Sequence, residues 1–313
     1  MPAIVAVAIF IIGAGLTIWA TEELLTGLVN LATYLKLSAF VVSVVLSGLE
    51  AENIAVGLSA STNNSASLAL GTVFGGATFL ICIALGLGSL IYPLEVKLPN
   101  GFLALFAATP VLSGLGLIAP ITQRWVGIVL LLAFFGGIAY LVLASRKRTF
   151  LLSHEVEKAQ GKKESLAMTL ALTVGGIVLV SIGGELVALG AENIITSFGV
   201  PAALMGMIVT PATIELEEVA RQAIPSKRGR GDVAAGNLIG TLLYFLLFNF
   251  GLIILIAPVS VPSQVVRLDW PFLVGVTWIA TFFLWRGKVG RRAGLLLVVA
   301  YLVYVGLNVV TGA

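Results

Sequence analysis

Apolar residues fill most of this chain in long blocks, and polar residues gather in the short stretches between them. Ten blocks are near 18 residues or longer: 3–20, 36–60, 66–92, 101–119, 125–145, 167–189, 200–224, 232–257, 270–285 and 293–312. A helix needs about 20 apolar residues to cross a hydrocarbon core of roughly 30 Å. The pattern therefore predicts an all-α membrane protein with ten transmembrane helices. Inside the blocks, carboxylates stand out. Ser47-Gly-Leu-Glu-Ala-Glu-Asn53 lies between VVSVVL and IAVGLSA and sets Glu50 and Glu52 in apolar surroundings.

That acidic segment recurs. SGLEAENIAVG with the later SLALGTVFGGATF aligns without gaps on ATIELEEVARQ with GDVAAGNLIGTLLYF at a constant offset of 165. Glu50 falls on Glu215, Glu52 on Glu217, Asn53 on Glu218, Gly71 on Gly236 and Gly75 on Gly240. Upstream, at an offset of 163, Gly27 pairs with Gly190 and Asn30 with Asn193. Five helices precede the second unit, an odd number, so the halves enter the membrane in opposite senses. The expected organisation is two inverted five-helix repeats, 1–145 and 166–313, joined by a basic loop, 146–165. Repeats of this kind in transporters meet near the midplane at helices broken by Gly or Pro. Gly48 precedes Glu50, and Pro211 precedes Glu215. A break facing lipid would leave polar backbone unsatisfied, so these segments are expected to face protein or a water-filled cavity.

Residues three apart on a helix share a face. Glu50 then sides with Asn53, and Glu215 with Glu218, giving three carboxylates and one carboxamide if the repeats bring those faces together. Acids at the bilayer centre cost a few kcal/mol each, which calls for a compensating cation or protons. Oxygen ligands of this kind suit Ca2+, Na+, Mg2+ or Mn2+ rather than a soft metal. Asn237 and Thr241, one turn apart, add two further candidate oxygens. Glu52 and Glu217 lie about 200° around the helix from their neighbours and are expected to face a vestibule or a polar partner. Asp232 reads as an N-terminal cap, and Gly71, Gly75, Gly236 and Gly240 as close-packing positions.

Composition changes the picture only in degree. Of 313 residues, 59% are hydrophobic and 11% charged, with a mean hydropathy of +1.09, against about 25% charged in soluble domains. All but Arg124 and Arg267 of the 18 lysines and arginines fall in connections after odd-numbered helices, Arg221 counted among them. The positive-inside rule then puts both termini outside and 146–165 in the cytoplasm, with the basic residues as membrane-flanking anchors. The first block lacks a basic leader and a small-residue cleavage site, so it reads as a retained helix. Cys82 is the only cysteine and excludes an intrachain disulfide. His154, the only histidine, lies in a charged loop and reads as solvated.

The repeat resembles the calcium/cation antiporter superfamily, which includes the sodium/calcium exchangers. Members carry two α-repeats of the form G-[ST]-S-x-P-E, followed after about eighteen residues by G-[ND]-x-x-G-S-N. Here Gly236, Asn237, Gly240 and Thr241 follow Glu218 at that spacing, and Gly231 with Asp232 resembles the GD before the second segment. The family glutamate falls on Glu218 and Asn53, and the proline before it on Glu217 and Glu52. The serine three residues earlier has become Glu215 and Glu50. In the later segment the family serine is Thr241 and Gly76, and an Asn or Asp one turn further is Phe245 and Leu80.

The resemblance implies a sodium/calcium exchanger-like fold and a secondary cation antiporter, Ca2+ exchanged for Na+ by alternating access. The expected ion-binding set is Glu50, Asn53, Glu215, Glu218, Asn237 and Thr241. Proton coupling stays open, because clustered carboxylates hold protons that compete with a divalent ion. A channel and an intramembrane enzyme are more distant alternatives. No HExxH and no aspartate pair occur in the apolar segments, against the enzyme. Expected partners are the lipid bilayer and inorganic cations, with no nucleic acid, no obligate protein partner and no cofactor beyond the transported cations. The expected location is the plasma membrane of a prokaryote.

Overall fold

The computed structural model describes residues 3–46, 69–118, 123–146, 165–196, 215–257 and 259–311. Helix α1 is Ala3–Leu35 and α2 is Ala39–Leu46. Helix α3 runs through Gly71–Gly75, Gly76–Phe79, Leu80–Ala84 and Leu85–Ile91. Helix α4 is Asn100–Ser113, α5 is Gln123–Arg146 and α6 is Leu166–Thr196. Helix α7 is Leu216–Lys227, and α8 runs through Gly231–Leu243, Tyr244–Asn249 and Phe250–Ile256. Helix α9 joins Val265–Asp269 to Trp270–Trp285, and α10 is Arg291–Thr311. Two short strands, β1 (Leu94–Glu95) and β2 (Lys288–Val289), pair antiparallel and tie the loop after α3 to the loop after α9.

Eight of the described helices are long and apolar enough to cross a membrane. Helices α2 and α7 are shorter, and the predicted spans they belong to, 36–60 and 200–224, run into residues outside the described set. Glu50, Glu52, Asn53, Gly48, Pro211 and His154 also lie outside it, as does nearly all of the loop 146–165.

The first predicted span ends at residue 20, but α1 continues through Glu22 and Glu23 to Leu35. Its 33 residues rise about 50 Å at 1.5 Å each. Glu22 and Glu23 only interrupt the apolar pattern, which resumes over residues 24–35 within the same helix. Glu22 pairs with Arg228 at 2.9 Å. Lys36, at φ 53°, turns the chain from α1 into α2.

Helices α1 and α6 lie antiparallel against each other. Gly13 faces the Val187 backbone and Gly27 that of Thr173, while Gly176 faces Leu24 and Gly190 faces Phe10. Small residues at such crossings let backbones approach closely. The outer faces of the pair, with Ile11, Ile12, Ile18, Val174, Val178 and Ile182, are exposed and apolar, as a lipid-facing surface requires.

Helices α3 and α8 are mostly buried and form the centre. Each widens into a π turn at matching positions, Leu80–Ala84 and Tyr244–Asn249. Such turns recur at functional sites. Gly86 of α3 packs on Gly294 of α10, and Gly251 of α8 on Gly127 of α5. Helix α2 closes on α8 through Ser43 Oγ, which donates to Val233 O at 2.9 Å, and Gly236, which faces Phe40 O. Helix α9 is pinned to α4 by Trp270 Nε1 donating to Pro110 O at 2.7 Å and Trp278 Nε1 donating to Ala107 O at 3.1 Å.

Candidate functional site

The polar centre of the molecule is built on α7. Glu215 is the residue preceding the helix, and Glu217 and Glu218 lie in its first turn. Acids are stabilised there by the unsatisfied N–H groups of a helix N-terminus. All three are buried. Arg221, one turn on, is 7% exposed and reaches back to both later acids. Its Nη2 lies 2.5 Å from Glu217 Oε1, and its Nη1 2.9 Å from Glu218 Oε1. The other Glu218 oxygen accepts a hydrogen bond from Asn237 Nδ2 of α8 at 2.5 Å. Glu218 is thus held by a guanidinium on one side and a carboxamide on the other.

Neighbouring helices close around this turn. A methyl group at Gly76 of α3 would sit 3.7 Å from Glu215 Oε1 and 3.3 Å from the Phe245 ring. The second half's acid therefore lies against the first half's later segment. Glu217 Oε2 packs against Gly184 of α6, where a side chain of any size would collide with it. Thr241, one turn beyond Asn237, is buried, and its Oγ1 has no hydrogen-bond partner among the described residues. A cavity lined by Arg221, Asn237, Ser43, Thr21, Leu24 and Ile177 among others opens between α7, α8 and the α1–α6 pair.

Chemically, the arrangement offers hard oxygen atoms in a water-poor interior, with one permanent positive charge already present. Among the described residues no group of three or more His, Cys, Asp or Glu is arranged to hold a metal by itself. The first half's Glu50 and Asn53 lie outside the described residues.

Residues 5–144 and 168–310 match the sodium/calcium exchanger protein family. The chain belongs to the sodium/calcium exchanger family. Within this family, it is similar along nearly its whole length to the inner membrane protein YrbG of Escherichia coli K12, at 24% identity over 97% of each chain. It is also similar to CaxA of Alkalimonas amylolytica, given by its name as an antiporter, at 25% identity over 96% of this chain and 98% of that one. Its fold is that of the sodium-calcium exchanger NCX_Mj. The TM-score is 0.80 against the protein soaked with 2.5 mM Na+ and 10 mM Sr2+, at 20% identity over 97% of this chain and 99% of that one. Against NCX_Mj soaked with zero Na+ and Ca2+ it is 0.78, at 20% identity over 96% and 98%.

Set against this exchanger fold, the structure brings Glu218 and Asn237 into direct contact and puts Glu215 beside Gly76 and Phe245. Glu217 has the polar partner its helix position predicts, Arg221. Two readings need correction. Arg221 is no membrane-flanking anchor but a buried ion-pair member; its spacing of three and four from two glutamates was the signal available in the sequence. Asp232 makes no side-chain cap; it pairs with Arg230 at 2.7 and 2.9 Å, because an adjacent guanidinium competes with backbone N–H groups. A further buried acid lies outside the expected site. Asp269 stands one residue before the predicted span 270–285 and is buried, with Tyr304 Oη donating to it at 3.0 Å.

Proposed function

We propose that this protein is a secondary active cation antiporter, exchanging Ca2+ for Na+ by alternating access at a carboxylate site near the middle of the bilayer. Membership of the sodium/calcium exchanger family supports cation antiport, and the names of CaxA and NCX_Mj agree with it. The observation that carries the site is the burial of three acids on one turn, with Glu218 in contact with Asn237 and Glu215 against Gly76 of the first half. Thr241 adds an unclaimed oxygen, and Glu50 and Asn53 complete the proposed ligand set.

The proposed inverted repeat is supported by paired contacts. The pairing of Gly13 with Val187 has its counterpart, at the 163-residue offset, in that of Gly176 with Leu24. Gly86 against Gly294 is likewise matched by Gly251 against Gly127. A twofold in the membrane plane accounts for both pairs. The proposed orientation puts both termini outside and 146–165 in the cytoplasm of a prokaryotic cell.

Proton exchange is the second reading. It is favoured by Leu80 and Phe245, buried and without oxygen at two positions where the family resemblance implies ligands. Ca2+ uptake into proteoliposomes separates the two. Uptake driven by an imposed Na+ gradient at fixed pH supports sodium coupling, and uptake driven by a pH gradient without Na+ supports proton coupling. Indifference to both gradients overturns antiport.

A further inference from the structure

Arg221 is explained neither by membership of the family nor by the proposed exchange. A guanidinium is always charged in proteins and cannot leave as an ion can. Burying it in the middle of a cation site is costly unless it replaces something the site otherwise needs.

The matched segments indicate what that is. At the 165-residue offset, Glu50 and Glu52 correspond to Glu215 and Glu217, Asn53 to Glu218, and Val56 to Arg221. The second segment carries one acid and one base more than the first, so both have a net charge of minus two. The geometry ties that difference together: Arg221 lies 2.9 Å from Glu218, the acid whose counterpart in the first segment is Asn53, and 2.5 Å from Glu217. Helical spacing of three and four residues makes this pairing local to α7. Arg221 also lines the cavity that opens toward α1 and α6, and Glu217 is pressed on Gly184 of α6. The fixed charge therefore stands where α7 meets the outer helix pair.

We propose that Arg221 is a resident cation of the transport site. It neutralises the charge of Glu218, holds Glu217 and Glu218 in place, and so limits the cation charge the protein must take from solution. This rests on the reading that the α7 acids hold the transported cation.

Equilibrium binding of radioactive Ca2+ to the purified full-length protein at pH 8 tests it without requiring transport. R221Q is expected to bind Ca2+ about tenfold tighter or more, since a like charge a few ångströms from the cargo has been removed. R221K, which keeps the charge but loses the two-pronged grip on the carboxylates, should bind Ca2+ more weakly than R221Q. E217Q, which leaves the guanidinium less compensated, should bind about tenfold more weakly. Opposite signs for the two members of one ion pair are the signature, because loss of a merely structural pair moves both variants the same way. R221Q and E217Q weakened alike, or R221Q unchanged, would overturn the proposal. If R221Q does not fold, R221K that binds Ca2+ more tightly than E217Q supports it, and R221K as weak as E217Q overturns it. Wild-type binding without gradient-driven flux would overturn antiport and leave the resident cation standing.

Discussion

Glu218 on α7 and Asp269 at the start of α9 are both acids withdrawn from water, and the protein treats them in opposite ways. Glu218 meets a full positive charge, Arg221, and a short hydrogen bond from Asn237. Asp269 accepts from the neutral Tyr304 hydroxyl, with Asn308 and Gln264 hydrogen-bonded to each other alongside, and no cationic side chain pairs with it among the described residues. The difference lies in their surroundings. Asp269 lies inside α9, where Val265–Asp269 runs straight into Trp270–Trp285, and it is the only acid on that helix. Glu218 shares its turn with Glu217 and Glu215, so like charges add, and hydrogen bonds from neutral groups cannot balance them. The crowded acids of α7 are met by a full positive charge, and the single acid of α9 by a neutral hydroxyl.

The comparison breaks or sharpens by substitution. The largest effect is expected from Glu215→Gln, which removes a charge from the cluster and leaves its shape: Ca2+ flux should fall about a hundredfold or more. Radiotracer uptake in proteoliposomes measures this, and flux within threefold of the wild type would remove Glu215 from the site. Glu218→Gln comes next. It leaves Arg221 with Glu217 alone, and Ca2+ affinity should drop by about ten- to a hundredfold. Thr241→Val conserves volume and deletes a buried hydroxyl that has no partner. The cation-free melting temperature should hold or rise, since an unsatisfied buried group costs roughly 1–3 kcal/mol, while the Ca2+-induced rise in melting temperature should shrink. An unchanged Ca2+ response would show that Thr241 binds no ion. Asp269→Asn should do least to transport, leaving flux within about threefold and costing about 1 kcal/mol of stability as a charged hydrogen bond becomes neutral. Loss of flux as large as that of Glu215→Gln would collapse the distinction between the two acids.

Much of this was legible in the residues. The long apolar blocks mark most of the helices, because hydrocarbon tolerates little else, and the spaced acids pointed to α7 and α8. The end of α1 was not legible, because Glu22 and Glu23 interrupt the apolar run and the helix continues past them. Nor was the role of Arg221, which lies within the predicted span 200–224 yet reads as one more basic residue near a membrane edge. Asp269 was hidden by its place at a block boundary, where exposed acids are also common.

The chain by itself determined that this is a helical membrane protein with a doubled acidic segment, since hydropathy and a constant offset are properties of the residues alone. Only the tertiary structure decided which polar groups meet. Helical spacing allows Arg221 to reach Glu217 and Glu218, but burial between α3, α6 and α8 makes that reach obligatory. In water each ion would be solvated separately; in the protein interior they must satisfy one another. The contact of Glu218 with Asn237, nineteen residues away, and of Glu215 with Gly76 in the other half, exists because helix packing brings distant turns within a few ångströms.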